Sequence, residues 1–335
     1  VNAGSHDAPA AWPGLAHFLE HLLFLGTERF AAHDNLMAYV QRHGGQVNAR
    51  TSERHTDFFF ELPAAAFEEG LERLCDMLAH PRLSLDDQLR EREVLHAEFI
   101  AWARDPSAQR EQALLQPLNP AHALRAFHAG NRYSLPVPRP GFQYALQDFY
   151  QQFYQAGQMS LSLVGPLPLA ELNALAERHA TVFRQCPPVP QANPVALMSN
   201  AQPHYQHEDP QHLNLVFTFE QLPQAYNAAL AFLCHWLNAD KPGSLLDQLR
   251  QQQVISRLNA SVLYAFDGQA LLQVEVFAPA DKALDATHIR EMFDSWLAFF
   301  SAQDDWSSLR QAFHLLQQRQ QQVSPALTLA RRDCE

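Results

Sequence analysis

Residues 14–26 read Gly14-Leu15-Ala16-His17-Phe18-Leu19-Glu20-His21-Leu22-Leu23-Phe24-Leu25-Gly26, and the spacing inside this stretch sets most of what the chain can be. Histidines four residues apart share one face of an α-helix, because a turn takes 3.6 residues. His17 and His21 can therefore reach a single metal ion from one rod. Glu20 sits about 60° away on the flank of that face. A carboxylate there can stand beside a metal without ligating it, where a general base for metal-activated water belongs. The remaining positions are Leu, Phe and Ala, and a helix apolar nearly all round is a buried helix. Burying a carboxylate without compensation costs several kcal/mol by order of magnitude. These five letters alone leave two readings open: a core helix with hydrogen-bonded histidines, or a metal site.

A catalytic zinc keeps three protein ligands and leaves one position for water, so the metal reading requires a third donor. Cys75, Cys186, Cys234 and Cys334 show no C-x-x-C spacing and read as small hydrophobes or free thiols. The segment Ser84–Trp102 is more promising. Ser84 with Asp87 resembles a capping box, and apolar positions then recur at helical spacing. Glu91, Leu95 and Glu98 fall on one stripe of that helix. Glu93 reads as solvated. Glu98, bracketed by Leu95, Phe99 and Trp102, is expected nearer the apolar face, and His96 points some 160° away from it.

At this point the motif resembles a known family. The inverted order His-x-x-Glu-His marks the pitrilysin/insulysin metallopeptidases, the inverzincins. In that family a third ligand, a glutamate, follows the second histidine after about seventy-six residues; here that position is Glu98. The context Glu91-Arg92-Glu93-Val94-Leu95-His96-Ala97-Glu98 is also similar, and it implies that Glu91 supports the site without ligating the metal. Gly44-Gly45-Gln46-Val47-Asn48-Ala49-Arg50-Thr51 resembles the family's substrate-receiving edge strand, with Gln46, Val47, Asn48 and Ala49 as peptide-binding residues. Asn119–His122 through Gly130-Asn131 resembles the loop after the ligand helix, and Phe149-Tyr150 through Gly165 resembles the strand closing the first domain. The likeness is strong over the first 185 residues and weaker beyond. The wording around Trp12–His17, Leu23–Phe30 and Arg54–Leu62 is most similar to family members serving pyrroloquinoline quinone biosynthesis.

The resemblance implies an α+β fold of two homologous metallopeptidase-type domains, each a largely antiparallel sheet covered by helices. We place a catalytic zinc-binding domain at 1–185, a proline-rich linker at 186–196 and a second, partial and non-catalytic copy at 197–335. In the first copy, helices are expected near 34–43, 63–79, 107–117, 142–156 and 168–183, with strands at 46–52, 56–62 and 159–165. In the second, strands at 213–220, 257–265 and 269–278 accompany helices near 223–238, 243–254, 284–301 and 306–323. Its first helix, around Ala228–Trp236, lacks the His-x-x-Glu-His motif, so this copy is expected to be a silent wall. His204 and His207 lie in a loop without a nearby carboxylate and make a poor metal site.

Composition narrows the partners. A net charge of −12 argues against nucleic acid, and no apolar run is long enough to span a bilayer. The unpatterned cysteines fit a reducing, cytoplasmic setting, with the periplasm left open. Val1-Asn2-Ala3 reads like the end of a strand already under way, so a longer natural polypeptide is expected. The resemblance implies one Zn2+ per chain held by His17, His21 and Glu98, with Glu20 as general base and hydrolysis of a small unstructured peptide, the quinone-cofactor precursor. It also implies a complementary C-terminal half of the same polypeptide, and a homodimer is a further expected partner. The competing reading is a non-catalytic peptide-binding or scaffolding half of a larger pitrilysin-like assembly. An oxygen-activating iron site with two histidines and a carboxylate is a poorer third, because it leaves Glu20 without a purpose.

Overall fold

The apolar stretch around the histidines forms helix α1 (Leu15–Leu23) in a computed structural model that describes residues 1–190, 194–198 and 210–334. There follow α2 (Leu36–Arg42), β1 (Gln46–Thr51), β2 (Thr56–Glu61) and α3 (Ala64–Ala79). Next come α4 (Leu85–Arg104), α5 (Pro106–Leu115), α6 (Pro140–Phe153) and α7 (Leu169–Ala180). The remaining elements are β3 (His212–Phe219), α8 (Tyr226–Leu237), α9 (Leu245–Gln251), β4 (Arg257–Phe266), β5 (Gln269–Phe277), α10 (Ala286–Ser301), α11 (Ser307–Val323) and α12 (Ala326–Cys334). His204 and His207 lie outside the described residues.

Two compact units result. The first holds Val1–Gln109, Ala126–Ala192 and Val323–Glu335; the second holds Arg110–Arg125 and Asn193–Gln322. Their segments interleave along the chain, and α12, which the sequence pattern does not announce, belongs to the first unit.

In the first unit, α1 is the hub. Leu15, Ala16, Phe18, Leu19, Leu22 and Leu23 are all buried, packing with Phe142, Leu146 and Phe149 of α6, Leu95 of α4, and Leu74 and Met77 of α3. Each fully buried Leu or Phe contributes roughly 1.5–3 kcal/mol, enough together to fix the rod that carries both histidines. Its start depends on glycine. Gly14 has φ +92°, and a Cβ there would lie 2.2 Å from the Cα of Gly130. Chain 130 and the head of α1 thus touch backbone to backbone. Strands β1 and β2 form an antiparallel pair, with Gln46 opposite Glu61 and Thr51 opposite Thr56.

The segment 159–165 corrects a sequence expectation: it is not a strand in the structure. A strand needs a ladder partner, and this stretch instead lines an apolar cavity of about 420 Å³ whose other walls include Phe58 and Phe60 of β2. At the head of the cavity the gap is bridged by backbone bonds. There Val1 pairs with Thr56 through both backbone bonds, and the Asn2 amide donates to the Gln158 carbonyl.

The second unit is built on an antiparallel sheet of order β3-β5-β4. The central strand β5 is buried almost throughout, as expected for a strand flanked on both edges. Leu272, Val274 and Val276 meet Leu237 of α8, Leu245 and Leu249 of α9, and Ile289 and Phe293 of α10. Burial holds His235 of α8 below the ordinary imidazole value, with Lys241 adding to the effect.

Candidate metal centre

One helical turn separates His17 from His21, and their rings face each other nearly perpendicular with centroids 4.7 Å apart. Each ring is oriented from behind. His17 Nδ1 lies 2.7 Å from the carbonyl oxygen of Ala129, and His21 Nδ1 lies 2.8 Å from Glu91 Oε1. A carbonyl or carboxylate oxygen can only accept, so each Nδ1 carries the proton. That leaves both Nε2 atoms, 3.2 Å apart, with lone pairs directed into the same space. Two lone pairs so placed repel unless a proton or a cation lies between them.

The third donor arrives on α4. Ser84 caps this helix by accepting the Asp87 amide, as its sequence predicts. Glu98 Oε2 lies 3.6 Å from His21 Nε2, and the ligand atoms of His17, His21 and Glu98 all fall within 4.8 Å of one another. Glu91 is seven residues, two turns, before Glu98, so one helix supplies both a donor and the group that orients His21. Two imidazole nitrogens and one carboxylate oxygen suit zinc and leave room for water. The donor set therefore fits such an ion.

Glu98 is not tucked toward the apolar face, contrary to its reading from Leu95, Phe99 and Trp102. Its side chain is 51% exposed, because the buried side of α4 consists of Asp87, Gln88 and Leu95. Glu93 is half-exposed, and Arg132 and Arg92 bind it and hold its carboxyl down to about 2.

Glu20 is buried on α1, and its Oε2 accepts a hydrogen bond from the Thr51 hydroxyl. Tyr154 is buried close behind. Burial, with the Glu20 charge adding to it, pushes its phenol well above the usual range. For His21, burial works against the charged form, but the Glu91 hydrogen bond and the charges of Glu98, Glu91 and Glu20 outweigh it. The metal-free imidazole is thus held above its ordinary value.

Strand β1 pairs only with β2 among the described residues, so its other edge is unpaired. Gln46 and Asn48 are exposed, while Val47 and Ala49 are half-buried. The Ala49 amide donates to the Asn48 side chain. Sequence reasoning passed over three contributors: the Ala129 carbonyl, the Thr51 hydroxyl and Tyr154. Thr51 stood at the end of the glycine-led segment, but only as a strand residue. A main-chain carbonyl has no residue-type signal at all.

Comparison with known proteins gives a consistent picture. Residues 1–131 match the family Insulinase (Peptidase family M16), and residues 143–307 match the Peptidase M16 inactive domain. Coenzyme PQQ synthesis protein F of Pseudomonas protegens is 59% identical over 333 residues, covering 99% of this chain and 40% of that protein. Protease 3 of Escherichia coli is 30% identical over 272 residues, covering 78% of this chain and 28% of that protein. The crystal structure of pitrilysin superimposes with a TM-score of 0.74 at 25% identity, over 91% of this chain and 34% of that one. The chain spans about 40% of the length of the curated synthesis proteins it matches.

Proposed function

The chain belongs to the insulinase family of peptidases, family M16, and from that premise we propose that it carries the zinc site of an endopeptidase acting on a small peptide in coenzyme PQQ synthesis. The relatives named for that synthesis support the pathway. The observation carrying the zinc assignment is the pair of Nε2 atoms 3.2 Å apart, each left as an acceptor because its Nδ1 is already bound, beside the Glu98 carboxylate.

In this reading His17, His21 and Glu98 would hold the ion, which when bound would supply a Lewis acid and make its water far more acidic, toward neutrality. Glu20 takes up the water proton at the oxygen not bound by Thr51, and delivers it to the leaving amine. Glu91 and the Ala129 carbonyl keep both imidazoles in the ligating tautomer. The unpaired edge of β1, through Gln46, Val47, Asn48 and Ala49, receives the peptide as an added strand. Such binding uses backbone groups and favours unstructured substrates. The Ala49 amide, now satisfied by the Asn48 side chain, becomes available when that side chain swings aside. A catalytic domain at 1–185 and a silent second copy from 197 complete the assignment, with the proline-rich 186–196 between them.

The test is metal analysis with peptide digestion on the full-length protein. Near one zinc per chain and cleavage abolished by a chelator are expected. Cleavage unaffected by complete zinc removal overturns the proposal.

A further inference from the structure

We infer that Thr51 is the positioning residue of the general base, fixing one carboxylate oxygen of Glu20 so that the other is presented for proton transfer. The inference rests on the zinc-peptidase reading of this site. Glu20 is 7% exposed on a helix whose other residues, His17 and His21 apart, are apolar, and the Thr51 hydroxyl reaches its Oε2 across 31 positions of sequence.

The proton inventory gives this bond a direction. The Thr56 hydroxyl, buried beside Thr51, donates its single proton to the Ala3 carbonyl at 2.9 Å. Thr56 therefore has no proton to offer Thr51, although their oxygens lie 3.4 Å apart. Thr51 keeps its own proton for the carboxylate, which in its charged form can only accept.

Thr51 is also a stiff support. It ends β1, its backbone is locked opposite Thr56 in the ladder, and the chain turns back at once through Ser52 and His55. A β-branched residue has restricted χ1 freedom. The strand proposed to receive the peptide therefore also aims the base. General-base efficiency depends on geometry before basicity, and a misplaced group costs rate even when binding is intact. A donor that fixes Glu20 should thus act on kcat and spare KM.

The experiment compares Thr51→Val and Thr51→Ser with wild type in the zinc-loaded full-length protein. Valine keeps the shape and removes the hydroxyl; serine restores it. Thr51→Val is expected to keep its zinc and its KM while kcat falls roughly tenfold to a hundredfold, and Thr51→Ser to recover most of the loss. Unchanged kcat in Thr51→Val overturns the inference, as does a serine variant equally slow or a change confined to KM. Infrared difference spectra against Glu20→Gln read the Glu20 carboxylate without needing turnover. Its stretching band is expected to shift in Thr51→Val and return in Thr51→Ser; a band indifferent to both also overturns the inference. A shifted band in a protein that cleaves nothing would sink the peptidase reading while leaving the Thr51–Glu20 contact standing.

Discussion

His17 and His21 point their Nε2 atoms at one another across 3.2 Å, with both Nδ1 protons already committed elsewhere. Proton and metal therefore compete for one space. In the metal-free protein His21 is held above the imidazole value of ~6.5. Its contribution to stability is complete below that pH and is lost as pH rises through the higher folded-state value. The urea midpoint of the zinc-free protein should fall as pH is raised from about 6 through the region above 6.5, and Glu91→Gln should flatten the fall. Zinc-loaded protein should trend the other way, because its ligands must be deprotonated.

Replacing Glu20 by Gln separates base from ligand. The variant should bind zinc at wild-type stoichiometry and lose at least about a hundredfold in kcat. Metal content by atomic absorption, run beside a peptide digest, checks both halves. Loss of zinc would make Glu20 a ligand instead.

The two glutamates of α4 should fail differently. Glu98→Ala removes a donor, and zinc content should drop far below one per chain after dialysis. Glu91→Gln leaves all three donors in place but weakens the hold on the His21 ring, so zinc affinity should fall roughly 10–100-fold. Competition titration with a chromophoric chelator ranks them.

Gly14→Ala tests the backbone contact beneath the site. With φ at +92° and only 2.2 Å from its Cβ position to Gly130 Cα, alanine must push the 129–131 backbone away. A strained left-handed residue alone costs on the order of 1–3 kcal/mol. Thermal unfolding should move down by several degrees. Zinc affinity should fall too, because the displaced segment carries the carbonyl that orients His17.

How much of this was legible beforehand depends on which kind of contact is involved. His17, Glu20 and His21 declare themselves because their relation is set by helical spacing alone. Glu98 was found through its distance from His21 in a familiar motif, whereas periodicity misjudged its surroundings by placing it near an apolar face. The likeness of 159–165 to a family strand could not report pairing, since a ladder depends on a partner segment, and none of these residues is buried. Thr51 reaches Glu20 only after β1 folds back beside α1, which no local pattern encodes.

The two rings differ in what supports them, and that difference falls on their tolerance of mutation. His17 leans on a main-chain oxygen, which every amino acid at position 129 would supply, so no change of side chain there can delete it. His21 leans on a side chain that a single codon change at position 91 can remove. Sequence drift can therefore loosen one ligand directly, while the other yields only when the polypeptide itself is displaced.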